Sequence, residues 1–85
     1  MIFIWLYSII EKMQYNRLGK FIKSKRETLN VSLNEFANIA DVDPAIISRI
    51  ENLKQGIKID CLIKIAKVFN QTAGQFLIEF ENSKF

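Results

Sequence analysis

Three residue types decide most of the chemistry open to this chain. It has no His and a single Cys, Cys61. Without an imidazole base, Ser–His and Cys–His nucleophilic pairs are excluded. One thiol cannot close a disulfide within the chain, and a zinc site would have to be assembled from carboxylates and that one thiolate. No metal and no cofactor is therefore expected. Cys61 falls in an apolar stripe and reads as a core residue, not a nucleophile. The paired carboxylates Glu79 and Glu81 stand two apart, so on a helix they point to different faces. There is no glycine-rich phosphate loop. An enzyme is not expected.

What remains is hydrogen bonding and charge. The chain has 12 Lys and Arg against 9 Asp and Glu, a net +3. That is a weak lean toward an anionic partner, and the distribution says more than the sum. Lys12, Arg17, Lys20, Lys23, Lys25 and Arg26 form a basic run that no acid interrupts. From Glu27 to Glu51 the acids Glu27, Glu35, Asp41, Asp43 and Glu51 oppose Arg49 alone, a net −4. Beyond it, five lysines face three acids. The order is basic, acidic, mildly basic. Such charges can equally be no more than solvated helix faces.

The elements that must position these groups are helices. Eighty-five residues allow one small domain. At 49% hydrophobic and 25% charged the chain is not a disordered tail, and 3 Gly with 1 Pro leave little material for hairpin turns. Residues 17–28 place Leu18, Phe21, Ile22 and Leu29 on one face, with Lys20, Lys23 and Lys25 elsewhere, and Asn30 as a left-handed stop. Ser32 and Glu35 fit a capping box that opens a short helix burying Phe36, Ala37, Ile39 and Ala40. Asp43 can cap the next helix, with Pro44 at its first position and Ile46, Ile47 and Ile50 as its apolar residues. Residues 53–59 read as a loop. Cys61, Leu62, Ile65, Ala66 and Phe69 define a further helix that stops near Asn70. Thr72 can cap a last one with Phe76, Leu77 and Phe80 inward. The fold class is all-α, a five-helix bundle, with 16–81 as the domain, 1–15 as an apolar extension and 82–85 as a tail.

Two short helices separated by about three residues make the helix-turn-helix spacing. Its second helix must project from the body to enter a groove about 12 Å wide, and its first must brace it. Ala37 is the small residue where the two would touch.

The residues Leu18-Gly19, Ile22 and Arg26, then Val31-Ser32, Glu35-Phe36-Ala37, Val42-Asp43, Ile47-Ser48-Arg49-Ile50-Glu51 and Leu62, Lys64-Ile65-Ala66 carry a distributed pattern. It resembles the Cro/CI-type (Xre-like) helix-turn-helix domain of phage and bacterial repressors over about 18–77, a lambda-repressor-like bundle. The resemblance implies operator DNA bound by a homodimer, with helix 44–52 in the major groove of the double strand. Pro44, Ala45, Ser48 and Arg49 would then face the bases. Arg49 suits guanine O6 and N7, Ser48 can donate or accept, Ala45 can touch a thymine methyl and Pro44 contributes shape. The family pattern also pairs Arg26 with Glu51 as a scaffold contact.

The sequence departs from that pattern in three places. Leu33 stands where a contacting Gln is frequent. Asp41 replaces the Gly of the turn, which an Asp tolerates. Leu53 replaces the Gly after the second helix; it should avoid the left-handed region and let that helix run on a residue or two. Asp41 and Asp43 oppose phosphate by their charge, although helix N-termini can still hold it. Phosphate contacts are thus expected from Lys23, Lys25, Ser32, Lys54 and Lys58, with Asn52 and Gln55. Four neutralised phosphates per subunit give a dimer a log–log salt slope of roughly −7.

A homodimer is expected because one helix reads only about four to five base pairs. Its interface would be the last helix, through Phe76, Phe80 and Phe85, or the N-terminal segment. Met1–Ile10 is nine apolar or aromatic residues and one Ser. It is too short to cross a bilayer and lacks the basic start and cleavage site of a signal peptide. It reads as a dimerisation or docking helix, as an upstream start with Met13 the natural first residue, or as a membrane-surface contact, and the sequence does not choose. The expected place is the cytoplasm, at the nucleoid. No small-molecule substrate is expected. The alternative is an adaptor of the same fold that no longer binds DNA, suggested by the acidic segment, Leu33 and the apolar N-terminus.

Overall fold

The computed structural model describes residues 17–83. The apolar extension, Lys12 and Phe85 lie outside the described residues. Five helices follow in order: α1 over 17–28, α2 Leu33–Ala40, α3 Pro44–Glu51, α4 Ile59–Val68 and α5 Ala73–Asn82, with no strand among the described residues. The starts of α2, α3 and α5 have a local cause, whereas Lys58 before α4 makes no side-chain cap. Ser32 Oγ accepts from Glu35 N at 3.1 Å and opens α2. Asp43 Oδ1 accepts from Ala45 N at 2.8 Å and opens α3, with Pro44 at its first position. The reciprocal capping box is at α5, where Thr72 Oγ1 accepts from Gln75 N and Gln75 Oε1 accepts from Thr72 N. At α2 only the Ser32 half of the expected box forms.

Left-handed residues stop the helices: Asn30, Asp41, Leu53 and Asn70 all have positive φ. Asn and Asp suit that region; Leu does not. The expected extension of α3 does not occur. Leu53 adopts φ 62°, and Lys54 N bonds back to Arg49 O at 2.7 Å, closing the helix at Glu51. The compensation is tertiary, because a Leu53 methyl lies close above Gly19 of α1.

The core takes Leu18, Phe21 and Ile22 from α1, Phe36 and Ala37 from α2, Ile47 and Ile50 from α3, Leu62, Ile65 and Ala66 from α4, and Phe76 and Phe80 from α5. Phe21 meets Phe76 and Phe80 at centroid distances of 5.2 and 5.4 Å, and Phe69 joins Phe76 to Phe36 at 5.9 and 6.0 Å. These rings tie α1, α2, α4 and α5 into one body. Phe76 and Phe80 are therefore consumed by the core and are not available as a dimer surface, contrary to the sequence-based expectation. Leu29 and Ile39, expected inside, are exposed. Leu29 falls after the last turn of α1, and Ile39 sits on the side of α2 away from Phe36 and Ala37.

The outer edge of α1 is bound to α5. Lys25 Nζ lies 2.7 Å from Glu79 Oε2 and 4.7 Å from the centre of the Phe69 ring, and Gln71 Nε2 donates to Glu79 Oε1 at 2.9 Å. Lys25 and Gln71, by donating to it, hold the Glu79 carboxyl below the ordinary carboxylate range. A depressed carboxylate stabilises the fold above its ordinary pKa, and that contribution disappears as pH falls through the lowered value. Acid titration of the unfolding midpoint should thus be less steep in Glu79→Gln than in the parent; identical profiles would show that the tie carries no stability.

Candidate nucleic-acid interface

The turn between α2 and α3 is built from short-range bonds. Asp41 takes the left-handed position and Val42 N reaches back to Ala37 O at 2.9 Å, so the chain reverses within three residues. Ala37 is fully buried at the bend and Val42 packs against the core. Leu33, at the position where an amide is frequent, also packs against the core. Lys64 Nζ of α4 bonds Asp41 O at 3.1 Å and lies 3.7 Å from its carboxylate. It partly offsets a charge that otherwise opposes phosphate, a partner the sequence reading missed.

α3 turns Ile47 and Ile50 inward and Pro44, Ala45 and Arg49 outward, with Ile46 and Ser48 half-buried at its sides. Its far end is fastened to α1. Arg26 Nε and Nη2 donate to Glu51 Oε2 and Oε1 at 2.8 and 3.1 Å, and Arg26 Nη1 donates to Val31 O at 3.0 Å. The Glu51 side chain is 3% exposed and the Arg26 side chain 13%. The hydrogen bonds to Glu51 raise the guanidinium pKa above its ordinary value. Gly19 completes the contact: a Cβ there would lie 2.3 Å from the Ile50 carbonyl oxygen. The first helix therefore approaches α3 with no side chain between them.

Around the outward face the groups sort themselves unevenly. Lys23, Ser32, Lys54 and Lys58 are exposed, as are Asn52 and Arg49. Lys25, expected at phosphate, is instead held by Glu79 and Phe69 of the α4–α5 side, as above, so it leaves the phosphate set. Gln55 and Asn52 have partners on α3 itself: Gln55 Oε1 accepts from Arg49 Nε at 2.7 Å, and Asn52 Nδ2 donates to Ser48 O at 2.9 Å. Beside Arg49 an open cleft of about 400 Å³ runs to α4. Its charges balance, with Arg49, Lys58 and Lys64 against Asp41, Asp43 and Asp60. Cys61 forms part of its wall, and burial pushes its thiol pKa up, so it is a poor nucleophile.

A family model for the helix-turn-helix, of the Cro/C1 type, matches residues 22–76, from α1 to α5. The chain belongs to the Cro/C1-type helix-turn-helix family. Searches of the curated proteins and of the solved structures return no match. As a Cro/C1-type helix-turn-helix domain, the chain is a double-stranded-DNA-binding regulatory module of a family that is not enzymatic. Among the described residues, no helix is long and apolar enough to cross a membrane.

The helix-turn-helix also makes sense of Asp43. It caps α3 and lines the cleft beside Arg49 together with Lys58. Asp43→Ala should cost about 1 kcal/mol of stability through the lost cap. Asp43→Ser keeps a cap and removes the charge. It should bind random duplex more tightly than the parent at low salt, with a smaller loss in thermal unfolding. No gain in duplex affinity would mean that Asp43 does not face phosphate.

Proposed function

We propose that this protein binds operator DNA as a homodimer and regulates transcription, acting as a repressor, with α3 in the major groove. The observation that carries the reading is the exposure of Arg49, with Ser48 half-buried at the flank, on a helix whose other side is pinned by Ile47, Ile50 and the Arg26–Glu51 pair. Arg49 forks to guanine O6 and N7, Ser48 bonds a neighbouring base edge, and Ala45 with Pro44 set the fit against thymine methyl groups. Lys23, Lys54 and Lys58 supply phosphate contacts, with Ser32 at the start of α2. The domain spans 16–81, followed by a short tail, and works in the cytoplasm on the nucleoid. The dimer doubles the short reach of one helix. With Phe76 and Phe80 buried, the apolar surface left for a partner includes Ile78 on α5 and Ile59 and Ile63 on α4, all exposed.

With Lys25 withdrawn, three lysines per subunit remain, so a dimer neutralises about six phosphates and gives a log–log salt slope of about −5. Gel-shift titration against genomic fragments between roughly 50 and 200 mM salt, over which the Debye length falls about twofold, measures it. Retention at low salt with that slope supports the reading. No shift at micromolar protein would favour the DNA-binding-defective adaptor.

A further inference from the structure

The polar side chains on and just beyond α3 do not behave alike. Asn52 and Gln55, expected at phosphate, each bond a residue expected to face the bases, and Gln55 Nε2 also donates to the Gly56 carbonyl at 3.4 Å. Gln55 Oε1 accepts from Arg49 Nε at 2.7 Å. Asn52 Nδ2 donates to the Ser48 carbonyl at 2.9 Å and stands 3.2 Å from Ser48 Oγ. We infer that Gln55 is a positioning residue that fixes the plane of the Arg49 guanidinium and thereby makes α3 select a guanine.

The guanidinium is planar and carries five N–H groups in fixed directions. With Nε spent on Gln55, its plane is set. Among the described residues no other hydrogen bond engages the Arg49 side chain. The two terminal nitrogens are left as a fork of parallel donors, and guanine alone presents a matching pair of acceptors, O6 and N7. Asn52 Nδ2 donates to the Ser48 carbonyl and reaches Oγ, which leaves the hydroxyl its hydrogen and a second lone pair, so Ser48 can still donate or accept and takes no part in this selection. This inference rests on α3 being the recognition helix.

The test selects bound duplexes from a randomised pool with the full chain and sequences them. Binding is then titrated on the selected site, on the site with adenine or 7-deazaguanine at the guanine, and on random duplex. The parent is expected to require guanine at one position. Gln55→Ala should lose roughly tenfold of the guanine-over-adenine preference while its affinity for random duplex stays within about twofold. Gln55→Glu keeps an acceptor for Arg49 and should keep the preference, although its added charge weakens binding to every duplex. In an Arg49→Ala background, Gln55→Ala should change nothing further. Thermal melting of each variant separates these effects from misfolding. The inference is overturned if Gln55→Ala weakens all duplexes equally and lowers the salt slope by about one with base preference intact, which is the behaviour of a phosphate contact. A parent protein that retains no duplex at all would overturn the DNA-reading function itself, and this inference with it.

Discussion

Arg26→Ala is expected to lower the unfolding free energy by about 3–5 kcal/mol, because it leaves the Glu51 carboxylate buried with no counter-charge. The Glu51 side chain is 3% exposed and receives two of the three Arg26 hydrogen bonds; the third goes to the Val31 carbonyl, which also loses its donor. Removing both charges is a different experiment. Arg26→Met with Glu51→Leu fills a similar volume and leaves nothing unpaired, so most of the loss should be recovered. Urea unfolding of the single and double variants measures both. A loss below about 1 kcal/mol in Arg26→Ala would show that solvent reaches the carboxylate and that the pair behaves as a surface contact. The functional consequence follows from position. Glu51 is the last residue of α3, so the pair fastens the end of the helix that carries Ser48 and Arg49.

Gly19→Ala should be nearly as damaging, and its sign is informative. In an open helix position Ala is preferred over Gly by roughly 0.5–1 kcal/mol. At Gly19 the added carbon would sit 2.3 Å from the Ile50 carbonyl oxygen and 3.0 Å from a Leu53 methyl. A backbone oxygen inside α3 cannot swing aside as a side-chain tip can. The first helix must retreat from α3, at about 1–3 kcal/mol for overpacking, and the retreat also strains the Arg26–Glu51 bonds. Gly74 is the internal control. A Cβ there meets only Thr72 Oγ1, at 3.8 Å, so Gly74→Ala should stabilise by roughly 0.5–1 kcal/mol. Chemical unfolding of the two variants should therefore give opposite signs. A stabilising Gly19→Ala would mean that α1 and α3 do not approach as closely as described.

The contrast between these glycines shows what the sequence could and could not say. Both are helical, and nothing local distinguishes them; the approach of Ile50 to Gly19 is a tertiary fact. Helix starts were legible because Ser32, Asp43-Pro44 and Thr72 act within three residues of themselves. The Arg26–Glu51 contact came from the family pattern, not from spacing, since 25 residues separate the partners. Leu53 was misread because the cost of a left-handed Leu is local, whereas the packing over Gly19 that offsets it is not. Lys25 was misread for the same kind of reason: a lysine in a basic run looks free until Glu79 and Phe69 are folded against it. Asn52 and Gln55 looked like phosphate ligands because they flank the motif, and only the placement of Ser48 and Arg49 beside them reveals what their amides bond.

The direct test of the whole account is the affinity of Arg49→Ala, relative to the parent, for a selected operator and for random duplex in the same buffer. Loss of one bidentate base contact predicts a drop of about 1–3 kcal/mol on the operator, with random-duplex binding nearly unchanged. Equal affinity of parent and variant for the operator would place Arg49 away from the bases and contradict the assignment of α3 as the reading helix.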